Sequence, residues 1–147
     1  MGAERAGITK AGEGLDGTVW NILGQTYYPK QACNNSFAFE AHSPAGTFVP
    51  PHIHPTQDEY ILMLEGTFKL VLDGQTHFAG AGDLVRMPMG IMHGYFNESG
   101  AFAKAFFWVS PARRLHDLFK AIHNAPDPAE VMRLSALHEV DFLPPPV

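Results

Sequence analysis

Between Ser36 and His42 the side chains alternate in character: Phe37, Phe39 and Ala41 fall on one face, Ala38, Glu40 and His42 on the other. A period of two is that of an extended strand with one side toward a core. Ser43-Pro44-Ala45-Gly46 ends the pattern. Pro50-Pro51 then bars a helix across the next segment, because proline lacks the N–H a helix needs and clashes with the preceding turn. Residues 58–72, DEYILMLEGTFKLVL, contain two apolar runs parted by Glu65-Gly66, the pattern of two strands and a turn. Asp73-Gly74 is a hairpin signal leading into Gln75–Phe78, since both residues tolerate positive φ. Further short strands are expected at Leu84–Met87, His93–Asn97 and Phe102–Val109, with an earlier apolar piece at Val19–Leu23 before the pair Tyr27-Tyr28. Short strands at this spacing predict an all-β domain, a closed barrel or two-sheet jelly roll.

The period changes near residue 110. Ser110-Pro111 reads as an N-cap followed by proline at the first helical position, and Leu115, Leu118, Phe119 and Ile122 recur at helical spacing. Asp127-Pro128-Ala129-Glu130 has the form of a capping box opening a second helix through about Leu137. Pro144-Pro145-Pro146 predicts an extended end. The chain thus divides into a flexible, Gly-rich arm (residues 1–17), a barrel (18–110), and C-terminal helices with a Pro-rich end (111–147) that belong to the same domain.

Composition narrows the class. The chain has 147 residues, 46% hydrophobic and 17% charged, enough for one domain with a real core. Its 14 Gly and 12 Pro agree with many tight turns. A single Cys33 excludes an intramolecular disulfide and a Cys-based zinc site, so any metal would be held by nitrogen and oxygen. A net charge of −5 with scattered Lys and Arg argues against nucleic acid and anionic membranes as partners, because phosphate contacts need clustered cations. No run approaches the ~18 apolar residues of a membrane span, and MGAERAGITKAGEGLDG has no apolar stretch of a secretory signal. A soluble, cytoplasmic protein with a small-molecule ligand is the expectation.

Eight histidines stand against ten Lys plus Arg. Behind Pro50-Pro51 the backbone is extended, so His52 and His54 project to the same side. Glu59 follows after four residues, near enough for a bend to return its carboxylate, and His93 lies beside a later turn. Three imidazoles and a carboxylate suit a divalent first-row ion with open positions left for chemistry. A His-x-His pair taken alone equally fits two histidines hydrogen-bonded on a polar sheet face. The other five, His42, His77, His116, His123 and His138, have no partner at ligand spacing.

The frame around these residues is more specific. From Gly46 the order is five residues, His52, one, His54, four, Glu59, six, Gly66; from Gly82 it is five, Pro88, one, Gly90, two, His93, three, Asn97. The segments GTFVPPHIHPTQDEYILMLEG and GDLVRMPMGIMHGYFN resemble the two signature motifs of the cupin superfamily, with all ten fixed positions filled. The resemblance implies a double-stranded β-helix, a jelly-roll barrel with a short C-terminal helical tail. It also implies one divalent transition metal ion (Mn, Fe, Ni, Co, Cu or Zn) in the barrel mouth, held by His52, His54, Glu59 and His93. Asn97 is expected to tie a turn rather than bind metal.

HPTQDEYILMLEG most resembles small single-domain cupins of the quercetin-dioxygenase type. That likeness implies a metal-dependent dioxygenase-type oxidoreductase for a small aromatic or apolar substrate, with Glu59 as both ligand and general base. A metal-dependent isomerase or decarboxylase, or a non-catalytic small-ligand-binding module, are the alternatives, because one set of ligands serves many reactions. Strand parity and residue character give a candidate pocket of Tyr28, Phe39, Phe48, Met63, Met87, Tyr95 and Phe107. Gln57 and Asp58 are candidates to orient the ligands from behind. Trp20, Ile22, Tyr60, Leu62 and Leu64 offer apolar surface for pairing, so a homodimer is expected.

Overall fold

The structure, a computed structural model, describes residues 5–143; the Pro144–Pro146 end lies outside them. Among the described residues the strands are β1 (Trp20–Ile22), β2 (Gln25–Ala32), β3 (Phe37–Ser43), β4 (Phe48–Ile53), β5 (Asp58–Glu65), β6 (Thr67–Leu72), β7 (Gln75–Gly80), β8 (Leu84–Met87), β9 (His93–Phe96), β10 (Ala103–Ser110) and β11 (Asp141–Phe142). Two helices, α1 (Leu115–Ile122) and α2 (Pro128–Leu137), lie between β10 and β11. One antiparallel sheet has the order β1-β2-β3-β10-β5-β8, the other β11-β4-β9-β6-β7. Two facing sheets, each buried on one side, account for the alternation legible in the chain. In β10, Ala103, Ala105, Phe107 and Val109 are buried while the residues between them are not. Phe37, Phe39, Ile61, Met63, Phe68 and Leu70 complete the core between the sheets.

The chain changes sheets at Gly66. Strand β5 pairs with β10 and β8, whereas β6 pairs with β7 and β9. Gly66 makes this crossing with φ of +77°, where a Cβ would stand 2.7 Å from the Phe102 carbonyl oxygen. Only glycine fits both the dihedral and the space. The hairpin at Asp73-Gly74 joins β6 to β7 as its sequence indicates, both residues at positive φ.

Pro50 and Pro51 lie in β4 at a break in its register with β9, between the pairs Val49–Tyr95 and His52–His93. Prolines have no N–H to give a ladder, so a bulge is where a strand accepts them. Opposite them is Gly94, whose absent side chain leaves room for the two proline backbones. Asn97 does tie a turn: its Nδ2 donates to the Ser43 and Ala101 carbonyls, both at 2.8 Å, and its Oδ1 accepts from Ser99.

The first helix begins later than its sequence suggests. Ser110 remains on the ladder opposite Asp58, and its hydroxyl donates to the Asn35 carbonyl rather than capping a helix. A positive φ at Arg113 follows, and α1 opens only after Arg114. Its four spaced apolar residues are nevertheless all buried. Asp127 caps α2 by accepting from the Ala129 N–H, but Glu130 pairs with Arg133 instead of closing a capping box. His123 and Asn124, between the helices, bond the backbone of Asn21 and hold the helical tail against β1.

Residues of the N-terminal arm run beside β2, where Thr9 donates to the Lys30 carbonyl and the Lys30 ammonium donates to those of Lys10 and Glu13. Trp20 and Ile22 are not available as pairing surface, being part of the core under α1. Tyr60 and Leu62 are half-buried on the outer sheet face and Leu64 is exposed. Among the described residues no helix is long and apolar enough to cross a membrane.

Candidate metal centre

His52 reaches the barrel interior from β4 and His93 faces it directly across the ladder on β9. His54 follows one residue after β4 ends, and the turn through Thr56 returns the chain so that Glu59, on β5, points to the same place. All four side chains are buried, and one ligand atom from each lies within 4.8 Å of the others. The rings of His54 and His93 stack at 5.1 Å, and His52 meets His93 edge-on at 4.4 Å. Glu59 Oε1 is 2.9 Å from His93 Nε2 and 3.6 Å from His54 Nε2.

Hydrogen bonds behind the rings fix which nitrogen is free. His52 Nδ1 is 2.8 Å from the Pro50 carbonyl oxygen, which can only accept, so Nδ1 carries the proton. His54 Nδ1 donates to Gln57 Oε1 at 2.6 Å, while Gln57 Nε2 donates to the carbonyls of Pro111 and Ala112. Both rings therefore turn an unprotonated Nε2 away from these bonds, the tautomer a metal requires. Asp58 takes a different part: its Oδ1 accepts from the Met89 N–H and ties β5 to the Pro88–Gly90 turn.

Burial pushes the His52 imidazole well down from its ordinary range, and it lowers the His54 imidazole against the opposing pull of Glu59. They are neutral at pH 7, as ligands must be. Burial raises the Glu59 carboxyl, but His54 and His93 outweigh it and hold that carboxyl at about 2. Neither ring nitrogen of His93 has a hydrogen-bond partner, because its short approach to Glu59 lacks the alignment an N–H donor needs. A buried imidazole left without a partner is costly in a folded protein. Three converging nitrogens and an ionised carboxylate, one of them otherwise orphaned, fit a divalent transition ion.

The centre opens into a cavity of about 410 Å³. Phe39, Phe48, Tyr95 and Phe107 line it, as does Tyr27. Tyr28, Met63 and Met87, expected in the pocket, are not among its walls. Parity on β2 places Tyr27 inward and sends Tyr28 to the outer face against His42. Met63 and Met87 do point inward, yet they are packed into the core away from the cavity. A further wall comes from the tail: Leu115, Leu118, Phe119 and Ile122 of α1, Val131 and Met132 of α2, and Phe142 of β11. The periodicity of α1 marked its residues for burial, but nothing in that pattern said they would roof the barrel. Phe142 pairs with His52 across the β4–β11 ladder, its ring 5.0 Å from the imidazole.

A jelly-roll barrel with this centre at its mouth is matched by comparison with known proteins. Residues 39–110 match the family described as "Cupin domain". This is a cupin. The cupin barrel aligns with the structure of an RmlC-like cupin from Shewanella frigidimarina with a TM-score of 0.66 and 19% identity, covering 75% of this chain and 95% of that one. Two curated relatives are similar in sequence. Quercetin 2,3-dioxygenase of Bacillus subtilis is 37% identical over 54 residues, and polyketide synthase CurC of Streptomyces cyaneus is 29% identical over 66. These stretches cover 37% and 45% of this chain, but only 16% and 43% of the relatives' own lengths.

Proposed function

We propose that this cupin is a metal-dependent oxidoreductase of the dioxygenase type, acting on a small aromatic or otherwise apolar substrate. The observation that carries the reading is the juxtaposition of the three-His, one-Glu cluster with a cavity whose walls are aromatic and aliphatic. A pocket of that size and character favours a rigid apolar ligand over a sugar phosphate, for which it offers no Lys or Arg. The name of the Bacillus subtilis relative, which gives quercetin as substrate, supports the same direction.

His52, His54, His93 and Glu59 would hold the ion. A transition ion so held would supply Lewis acidity and, where it is redox-active, one-electron chemistry. The chain's own contributions are distinct from it. Gln57 and the Pro50 carbonyl keep the imidazoles in the required tautomer. Residues Leu118, Phe119 and Val131 give the cavity an apolar wall, and apolar surroundings strengthen electrostatic interactions at the centre. Glu59 is ionised at neutral pH and is the group of the cluster able to accept a proton from a substrate hydroxyl.

The test is elemental analysis of protein purified without added ions, followed by oxygen uptake with a panel of phenolic compounds. Consumption of dioxygen that depends on both metal and phenol is the expected result. A fully metallated protein that consumes none across the panel overturns the dioxygenase reading. Turnover of isomerase or decarboxylase substrates under those conditions would replace it with one of those reactions.

A further inference from the structure

Besides the metal cluster, the cavity wall carries the phenols of Tyr27 and Tyr95, and the hydrogen bonds behind them run in one direction. Ser43 Oγ donates to Gln25 Oε1 at 2.7 Å, and Tyr95 Oη donates to the same oxygen at 3.0 Å. A phenol has a single proton, so Tyr95 has none left for its other contact. Tyr27 Oη, 3.0 Å from Tyr95 Oη, must then be the donor of that pair. With its proton committed, Tyr27 presents only lone pairs. Ser43, Gln25, Tyr95 and Tyr27 are all at most 5% exposed, and both tyrosines lie in the cavity wall. Burial raises both phenols well above their ordinary range, so neither ionises at physiological pH and the direction of the chain is stable.

We propose that Tyr27 is a specificity-determining hydrogen-bond acceptor for the cavity, selecting an apolar ligand that carries a hydroxyl or N–H over one carrying only an ether or carbonyl. This deepens the reading of the cavity as a pocket for a small apolar substrate and rests on it. The relay makes the choice unusual for a tyrosine, which ordinarily offers a proton as readily as it takes one. Here the amide of Gln25, two residues before Tyr27 on β2, decides which: its oxygen collects two protons and leaves the Tyr27 phenol, at the end of the relay, to accept. The same strand thus supplies both the acceptor that faces the ligand and the group that sets its polarity.

Binding of three probes tests this: 2-naphthol, which can donate, 2-methoxynaphthalene and 2-acetylnaphthalene, which can only accept. Affinities are measured by calorimetry on the full chain, with metal bound and after its removal by a chelator. Wild type should prefer 2-naphthol to 2-methoxynaphthalene by about tenfold in both states, the worth of one buried hydrogen bond. Tyr27→Phe should erase that preference while leaving 2-methoxynaphthalene binding unchanged. Tyr95→Phe frees the Tyr27 proton, so 2-acetylnaphthalene should bind more tightly than it does to wild type while 2-naphthol keeps its affinity, a gain that a loss of packing does not produce. Equal binding of all three by wild type, a preference seen only with metal present, or a 2-naphthol preference that survives Tyr27→Phe each overturns the proposal while the apolar pocket stands. Failure of every probe to bind removes the pocket reading and this proposal with it.

Discussion

Gln57 accepts the Nδ1–H of His54 over 2.6 Å and is itself anchored through its amide to the carbonyls of Pro111 and Ala112. One side chain therefore couples a candidate ligand to the link between the barrel and its helical tail. Replacing Gln57 by Leu removes the acceptor, frees the ring to rotate and leaves the Pro111 carbonyl without its amide donor. Metal affinity should fall about 10- to 100-fold, the usual effect of losing a partner behind a ligating histidine. Competition with a chelator measures it. Affinity unchanged in a folded Gln57→Leu protein would show that His54 is oriented by something else.

The orphaned nitrogens of His93 and the ionised Glu59 make a simpler forecast. His93→Ala and Glu59→Gln should each lower the metal content of purified protein well below one equivalent. A ligand that binds only the folded state raises stability in proportion to the logarithm of its concentration. Adding the identified metal to chelator-treated wild type should therefore raise Tm progressively, and His93→Ala should show a flat response. A stoichiometric ion in both variants would break the assignment of these four residues.

Val131 is 3% exposed, sits on α2 and forms part of the cavity roof. Enlarging it to Phe directs added volume into the open space rather than into packed core, so overpacking should cost less than the ~1–3 kcal/mol typical of a filled interior. Binding of 2-methoxynaphthalene should weaken at least about tenfold if the cavity holds apolar ligands, since the ring competes for the same space. Metal content should not change. Unaltered probe binding would place the ligand elsewhere.

Much of the centre is legible in the sequence because strand parity and turn residues are local properties. His52 and His54 share a side since they are two apart on an extended chain, and Glu59 returns because Pro55 and Thr56 make room for a bend. The pocket was harder. Parity cannot say which of Tyr27 and Tyr28 faces inward until the register of β2 is known, and that register contains an irregularity between Pro29 and Gln31. Helix α1 illustrates the other gap. Its apolar stripe shows that Leu115, Leu118, Phe119 and Ile122 are covered, but the surface that covers them is a matter of tertiary packing. Ser110 shows competition directly, since a good N-cap residue stayed on the β10–β5 ladder where its backbone bonds were already made.

Gly94, next to His93, carried no signal in the sequence beyond its identity. A Cβ there would lie 2.9 Å from the Pro51 nitrogen and 3.1 Å from the Pro50 carbonyl carbon. Both are backbone atoms of the bulge that leads to His52, so they cannot yield as a flexible side chain would. Gly94→Ala should push β4 outward, destabilising the fold by about 1–3 kcal/mol and lowering Tm by about 3–10 °C. It should also weaken metal binding, because the displaced segment carries a candidate ligand. Gly66→Ala provides the contrast. Its Cβ would also strike backbone, at Phe102 and Ala103, and its positive φ adds strain, but that crossing lies at the far end of β5 from Glu59. It should lower Tm by a similar amount with metal affinity unchanged. Thermal denaturation and chelator competition on both variants separate the two effects; equal losses of affinity would mean that metal binding follows global stability and that the bulge has no special hold on His52.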